Sequence, residues 1–245
     1  MSLSKPREKN PASKFIDWSG SLGKFKYYDK EKGQDILFEK EIFIVPLDEF
    51  STIKGYHDAS TSGIFSNEVR YLSKDILTVR AFKGGEIVKG LYNDIKGKLQ
   101  GGKFARSLYA VLITPQGAKK LPLLELVNIS FSGSSLGVYI DTKIDVDSGQ
   151  IIKLSPSTEQ KKKGATIYFE PKIEKQKVRK DILESCIDLD LQLQKYMKNY
   201  LHQNATEAVT TQEVDTAKSL NNFDEFDKIV SQDRPDVVKE DDLPF

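Results

Sequence analysis

Between Phe15 and about Lys172 the apolar residues return at every second position, and from Val178 that period gives way to one of three and four. A period of two alternates side chains between the faces of a strand, whereas spacing of three and four builds one stripe on a helix. The chain is therefore expected to be a mainly β body followed by an amphipathic helix. Leu22–Tyr28 sets Lys24, Lys26 and Tyr28 against Phe25 and Tyr27. Ile36–Leu47 reads as one long central strand rich in Ile, Phe and Val. Ile76–Lys83 places Leu77, Val79 and Ala81 opposite Thr78, Arg80 and Phe82. Phe104–Thr114 is ended by Pro115 and Gly117, and Leu121–Phe131 forms the next strand. Ser132-Gly133-Ser134-Ser135 then caps a short helix over Leu136, Val138, Tyr139 and Ile140. Ile151–Leu154 and Gly164–Pro171 read as a final strand pair. Periodicity alone leaves a barrel and a sandwich open.

The helical stripe runs through Ile182, Cys186, Leu189, Leu193, Tyr196 or Met197, and Tyr200, with Asp181, Glu184, Asp188 and Asp190 near its start. Packing on the body is its expected role, and a seam for self-association is the alternative. Residues 1–14, with Lys5, Arg7, Lys9 and Lys14, read as a flexible basic arm. Residues 15–203 make the body with its helix. Residues 204–239 are poor in large apolar groups and read as a disordered acidic linker, which as a coil would reach roughly 30–35 Å. No run of about 18 apolar residues or signal-peptide core is seen, so no membrane association and a cytoplasmic location are expected. One cysteine, Cys186, excludes an internal disulfide, and His57 and His202 are too few for a Cys/His zinc site. No cofactor is expected.

A formal net charge of +1 conceals a division: residues 1–180 carry 31 Lys/Arg and 21 Asp/Glu, and residues 181–245 carry 6 and 15. A basic body attracts polyanions, and an acidic tail on the same chain competes for that surface. The sequence closes on Asp241-Asp242-Leu243-Pro244-Phe245, following Glu240. Carboxylates ahead of an apolar tip suit a pocket that takes the phenyl ring while Lys or Arg reads the acids, and a free terminal carboxylate would add to this. These five residues resemble the acidic tip of bacterial and phage single-stranded-DNA-binding proteins, with Leu243 where the family often has Ile. The resemblance implies an OB-like barrel that holds DNA in replication, recombination or repair. It also implies that residues 240–245 recruit DNA-processing proteins, and that the chain is not an enzyme. The body's length, greater than that of the compact bacterial domain, favours a phage-like member.

Single-stranded DNA exposes flat bases and a charged backbone, so its binder needs aromatic rings interleaved with cations. The candidates are Trp18, Lys24, Lys26, Tyr28, Arg70, Arg80, Phe82, Lys83, Lys98, Lys103, Arg106, Tyr109, Lys162, Lys163 and Tyr168. Trp18, beside Asp17 and Ser19, can equally plug a barrel end. Gly97–Lys103 has phosphate-loop spacing, but Phe104 replaces the Ser or Thr that binds magnesium, and a strand pattern follows instead of a helix. Asp141, Asp145 and Asp147 lack the remaining ligands of a calcium loop. They stand behind a metal-dependent nuclease as an alternative, which incubation of DNA with magnesium would test. A second alternative is an adaptor or recombination mediator that uses the tip to dock. Such a protein would shift neither oligo-dT nor duplex if it bound only protein.

Overall fold

In a computed structural model, residues 8–116, 121–177 and 180–209 are described. Tip residues Asp241–Phe245, most of the acidic linker and the first half of the basic arm lie outside them. The chain is mainly β. Its strands are β1 (Lys14–Ser19), β2 (Lys24–Asp29), β3 (Gln34–Leu37), β4 (Ile42–His57), β5 (Ser62–Ser66), β6 (Leu77–Ala81) and β7 (Glu86–Gly90). They continue with β8 (Gly102–Thr114), β9 (Leu123–Ser132), β10 (Ile151–Ser155), β11 (Gln160–Lys163), β12 (Thr166–Phe169) and β13 (Lys172–Gln176). The helices are α1 (Tyr92–Ile95), α2 (Ser134–Thr142) and α3 (Lys180–Val209).

The 16-residue β4 organises the main sheet. One edge pairs with β8 from Phe43 to Gly55. Its other edge is shared: Ile42–Ile44 pair with β10, and Lys54–His57 pair with β5. The full path is β3-β2-β1-β9-β8-β4-β5-β6-β7, with β13 reached through β10, while β11 and β12 form a separate hairpin. All these ladders are antiparallel except β1 with β9. Pro46 has no N–H for a ladder, and the register shifts between Pro46 and Asp48. The extra residue exchanges the faces. Ile42 and Ile44 point inward before it, and Ser51 and Ile53 do so after it.

Three of the expected strands match closely: Ile76–Lys83 is β6, Phe104–Thr114 is β8 and Leu121–Phe131 is β9. Two expectations need correction. Ile36–Leu47 is not one strand, because Phe38–Glu41 breaks it: Glu39 and Lys40 stay exposed while Phe38 turns in beside Tyr27, 5.5 Å between ring centroids. Nor do Ile151–Leu154 and Gly164–Pro171 pair with each other. β10 pairs with β13 and β4, and β12 with β11. The basic arm is also shorter than residues 1–14. Ala12 is buried, Ser13 N–H donates to the Leu126 carbonyl at 2.8 Å, and Asn10 Nδ2 donates to Tyr109 Oη at 2.7 Å.

The inner face of the sheet carries the largest core, including Ile16, Phe25, Ile44, Ile53, Leu108, Ile129, Phe131 and Leu154, with Leu136 and Tyr139 of α2 laid on it. α3 covers part of the opposite face. Its Leu193, Tyr196 and Met197 pack on Phe50, Tyr109 and Leu126, while Ile182 and Cys186 pack on Val45, Val111 and Ile113. This is the docking expected of the helical stripe, and the helix runs six residues past Gln203. Burial pushes the Cys186 thiol up to about 11, which leaves it inert at neutral pH.

No strand ladder links the β1–β2 end to the β10–β13 end among the described residues. Two backbone bonds bridge the gap instead: Phe169 N–H to the Gly20 carbonyl at 2.8 Å, and Ser157 N–H to the Gly23 carbonyl at 2.9 Å. Gly23 has φ +65°, and a Cβ there would stand 2.3 Å from the Ser157 carbonyl oxygen. Gly23→Ala should therefore open this seam and cost about 2–3 kcal/mol, from left-handed backbone strain plus the clash. A urea midpoint unchanged from wild type would show that the seam contributes nothing.

Candidate nucleic-acid interface

The outer face left open by α3 has a readable pattern of rows. Lys103 of β8 pairs with Lys54 of β4, Lys54 with Phe65 of β5, and Phe65 with Arg80 of β6. Directly paired residues share a face, so three cations and a ring lie in one line across four strands. Thr78 beside Arg80 pairs with Lys89 of β7. One step along β4, Tyr56 pairs with Gly63. Phe82, 72% exposed, lies over Gly63 and stacks on Phe65 with centroids 5.1 Å apart and rings 23° from parallel. Any side chain at Gly63 would collide with the Phe82 ring, its Cβ standing 2.5 Å from it. Phe15 on β1 and Tyr28 on β2 are further exposed rings.

The expected site residues therefore divide. Arg80 and Phe82 belong to the open face, and Lys103 stands in the same row with its Nζ enclosed. Lys83 flanks it, its Nζ donating to the Thr61 carbonyl at 2.7 Å. Lys24 and Lys26 point outward on β2, but Glu39 holds Lys24, and Asp35 holds Lys26 at 2.6 Å. Exposed pairs like these contribute little and can be traded for phosphate. Lys98 is exposed on the one-turn 3-10 helix Lys96–Lys98. Lys162, Lys163 and Tyr168 sit on the β11–β12 hairpin, away from the row.

Four candidates serve the interior or structural pairs. Tyr109 is fully buried, so it cannot offer a ring to a base. Arg106 is directed inward, where its Nη1 donates to Ser51 Oγ at 3.0 Å and stands 3.7 Å from Glu49. Arg70 makes a two-pronged bond to Asp48 at 3.0 and 2.7 Å and lies 4.7 Å over the Phe50 ring. Trp18 is half-buried, edge-on to Phe25 at 4.8 Å, with its Nε1 donating to the Phe169 carbonyl at 3.1 Å. It plugs the seam.

Sequence reasoning missed Phe15, Lys54, Tyr56 and Phe65. The signal for two of them was present: Phe50, Thr52, Lys54 and Tyr56 alternate, and that pattern extends β4 ten residues past Leu47.

Beneath the C-terminal half of α3 the open face deepens into a cavity of about 300 Å³. Phe15, Lys54, Phe65, Arg80 and Lys89 line it from the sheet, and Tyr196, Tyr200 and Asn204 from the helix. Glu68 also lines it. Its carboxylate accepts from Tyr109 Oη at 2.8 Å, from Ser107 Oγ and, at 3.4 Å, from Asn128 Nδ2. Burial pushes the Glu68 carboxyl above the usual range, an effect opposed by these hydrogen bonds and by nearby Lys54. Its backbone N–H donates to Tyr200 Oη at 2.9 Å, which ties it to α3.

No known protein family, curated protein or solved structure matches this chain.

Among the described residues, no cluster of three or more His, Cys, Asp or Glu side chains could hold a metal ion, and no helix is long and apolar enough to cross a membrane. Asp145 Oδ1 accepts from the Asp147 N–H at 3.1 Å, a turn-capping use. The Gly97–Lys103 segment leads into β8, whereas a phosphate loop leads into a helix. What the open face offers is a flat aromatic platform beside fixed cations.

Proposed function

We propose that the chain binds single-stranded DNA largely without sequence preference, in replication, recombination or repair, and catalyses no reaction. The observation that carries this is the Lys103–Lys54–Phe65–Arg80 row with Phe82 stacked beside it. Bases stack on the Phe65–Phe82 platform and on Tyr56 and Phe15. Phosphates follow Lys54, Arg80 and Lys89. Duplex DNA keeps its base faces covered and would engage only the cations.

An OB-like reading of the fold belongs to this proposal. Three features support it: the adjacent antiparallel strands β4, β8 and β9, the helix α2 after them, and the return of β10 to the free edge of β4. In such a barrel a strand face is a customary nucleic-acid surface. Here α3 covers that face over much of β4, β8 and β9 and leaves open the end of β4 with β5 and β6. The Asp241–Phe245 run supports a second activity, recruitment of DNA-processing proteins, with the acidic residues before it competing for the cations when DNA is absent.

The test is fluorescence titration with oligo-dT at two salt concentrations. Trp18 is tucked into the seam, so Tyr28 and Tyr56 are the expected reporters. Saturable quenching should appear. With about three phosphates neutralised, the slope of log affinity against log salt should be roughly −2. No quenching with oligo-dT, or equal affinity for duplex, would overturn the reading.

A further inference from the structure

The cavity beneath α3 is built more specifically than a stacking platform. At about 300 Å³ it lies at the low end of the range for small-molecule pockets. Its lining pairs an acceptor with a donor. An ionised carboxylate offers roughly four acceptor positions. Tyr109, Ser107 and Asn128 occupy three of those on Glu68, leaving one to be filled from the cavity. On the helix side the Asn204 Nδ2 is enclosed and has no hydrogen-bond partner among the described residues. The Phe15 and Phe65 rings flank the space, and Lys54, Arg80 and Lys89 line it too. Every group that a single nucleotide presents therefore has a counterpart here: cations for its phosphate, rings for its faces, and an acceptor with a donor for its edge.

We infer that this cavity receives one unstacked base of the bound strand and prefers a base carrying an exocyclic amino group. The inference rests on the single-stranded-DNA reading above. The preference follows from Glu68. An exocyclic amine projects from the ring and can donate into the open carboxylate position, while a ring carbonyl or ring nitrogen of the same base accepts from Asn204. Thymine has no such amine. Its one ring N–H lies between two carbonyl oxygens, whose lone pairs would face the Glu68 carboxylate. Cytosine is the informative comparison, being matched to thymine in size. Outside this one position binding remains tolerant of sequence, since stacking on Phe82 and Tyr56 uses only the face of a base.

The experiment compares oligo-dT with the same strand carrying one central dC, at slightly alkaline pH. The expected result is about tenfold tighter binding of the dC strand, as for one hydrogen bond to a charged group. A strand with N4,N4-dimethylcytosine at that position should return to the oligo-dT value, which tests the amine without altering the protein. Glu68→Gln keeps the shape and removes the charge, and should erase the difference. Asn204→Leu should do the same from the helix side, where folding is less at risk. Equal affinity of wild type for the dC and dT strands overturns the inference and leaves the interface reading intact. Failure of both strands to bind sinks the interface reading and the inference with it.

Discussion

Replacing Phe65 and Phe82 together by alanine is expected to weaken oligo-dT binding by about a hundredfold while leaving the salt slope close to its wild-type value. The size follows from stacking, roughly 1–3 kcal/mol for each base held on an aromatic ring. The two rings form one platform, so their contributions should not simply add. Neither ring belongs to the large buried core, and both are exposed, so the folded state should survive the change. The unchanged slope is the more searching part, because the slope counts displaced counterions and neither ring carries charge. Replacing Lys54 and Arg80 by alanine should do the converse and flatten the slope by about 1.4, at about 0.7 per contact on a single strand. Isothermal titration of each variant over a salt series separates the two effects. Wild-type affinity in the Phe65/Phe82 variant would move the interface elsewhere on the molecule.

That this surface had to be found in three dimensions has a physical reason. Alternation identified the faces of β2 and β6 correctly, so Lys24, Lys26 and Arg80 could be placed outside and Phe25 and Val79 inside. It could not show which outer residues α3 would cover, since that depends on where a distant helix docks. Tyr109 and Arg80 look alike in sequence, each an outward residue on a strand. One lies under Tyr196 and Met197, and the other lines the cavity at the border of the open face. Pro46 created a second blind spot. The bulge after it exchanges inside and outside, so the apolar run that ends at Leu47 hides the continuation of the strand through Lys54 to His57. The α3 stripe, in contrast, was legible from Ile182 to Tyr200, because helical spacing carries its own partner face. The Asp241–Phe245 tip motivated the first functional expectation and lies outside the described residues.

Phe50→Ala should destabilise the protein by about 3–5 kcal/mol and lower DNA affinity as a consequence. Phe50 is fully buried where β4 meets α3, edge-on to Tyr109 with centroids 5.9 Å apart. Removing the ring leaves a cavity among Leu126, Leu193 and Met197, and it takes away the surface on which the Arg70 guanidinium rests. Asp48 still holds Arg70 in two places, so the charge stays paired and the loss is mainly one of packing. The consequence for binding runs through α3. Its Tyr196 and Tyr200, stacked at 5.7 Å, form one wall of the cavity, and Tyr200 fixes the backbone at Glu68. Loosening the helix should therefore erase the preference for a dC strand before it reduces stacking on Phe82, which follows β6 and stacks on Phe65 of β5. Urea unfolding measures the first effect, and the paired dC and dT titrations measure the second. A variant that lost stability yet kept the full dC preference would show that the helix does not shape the pocket.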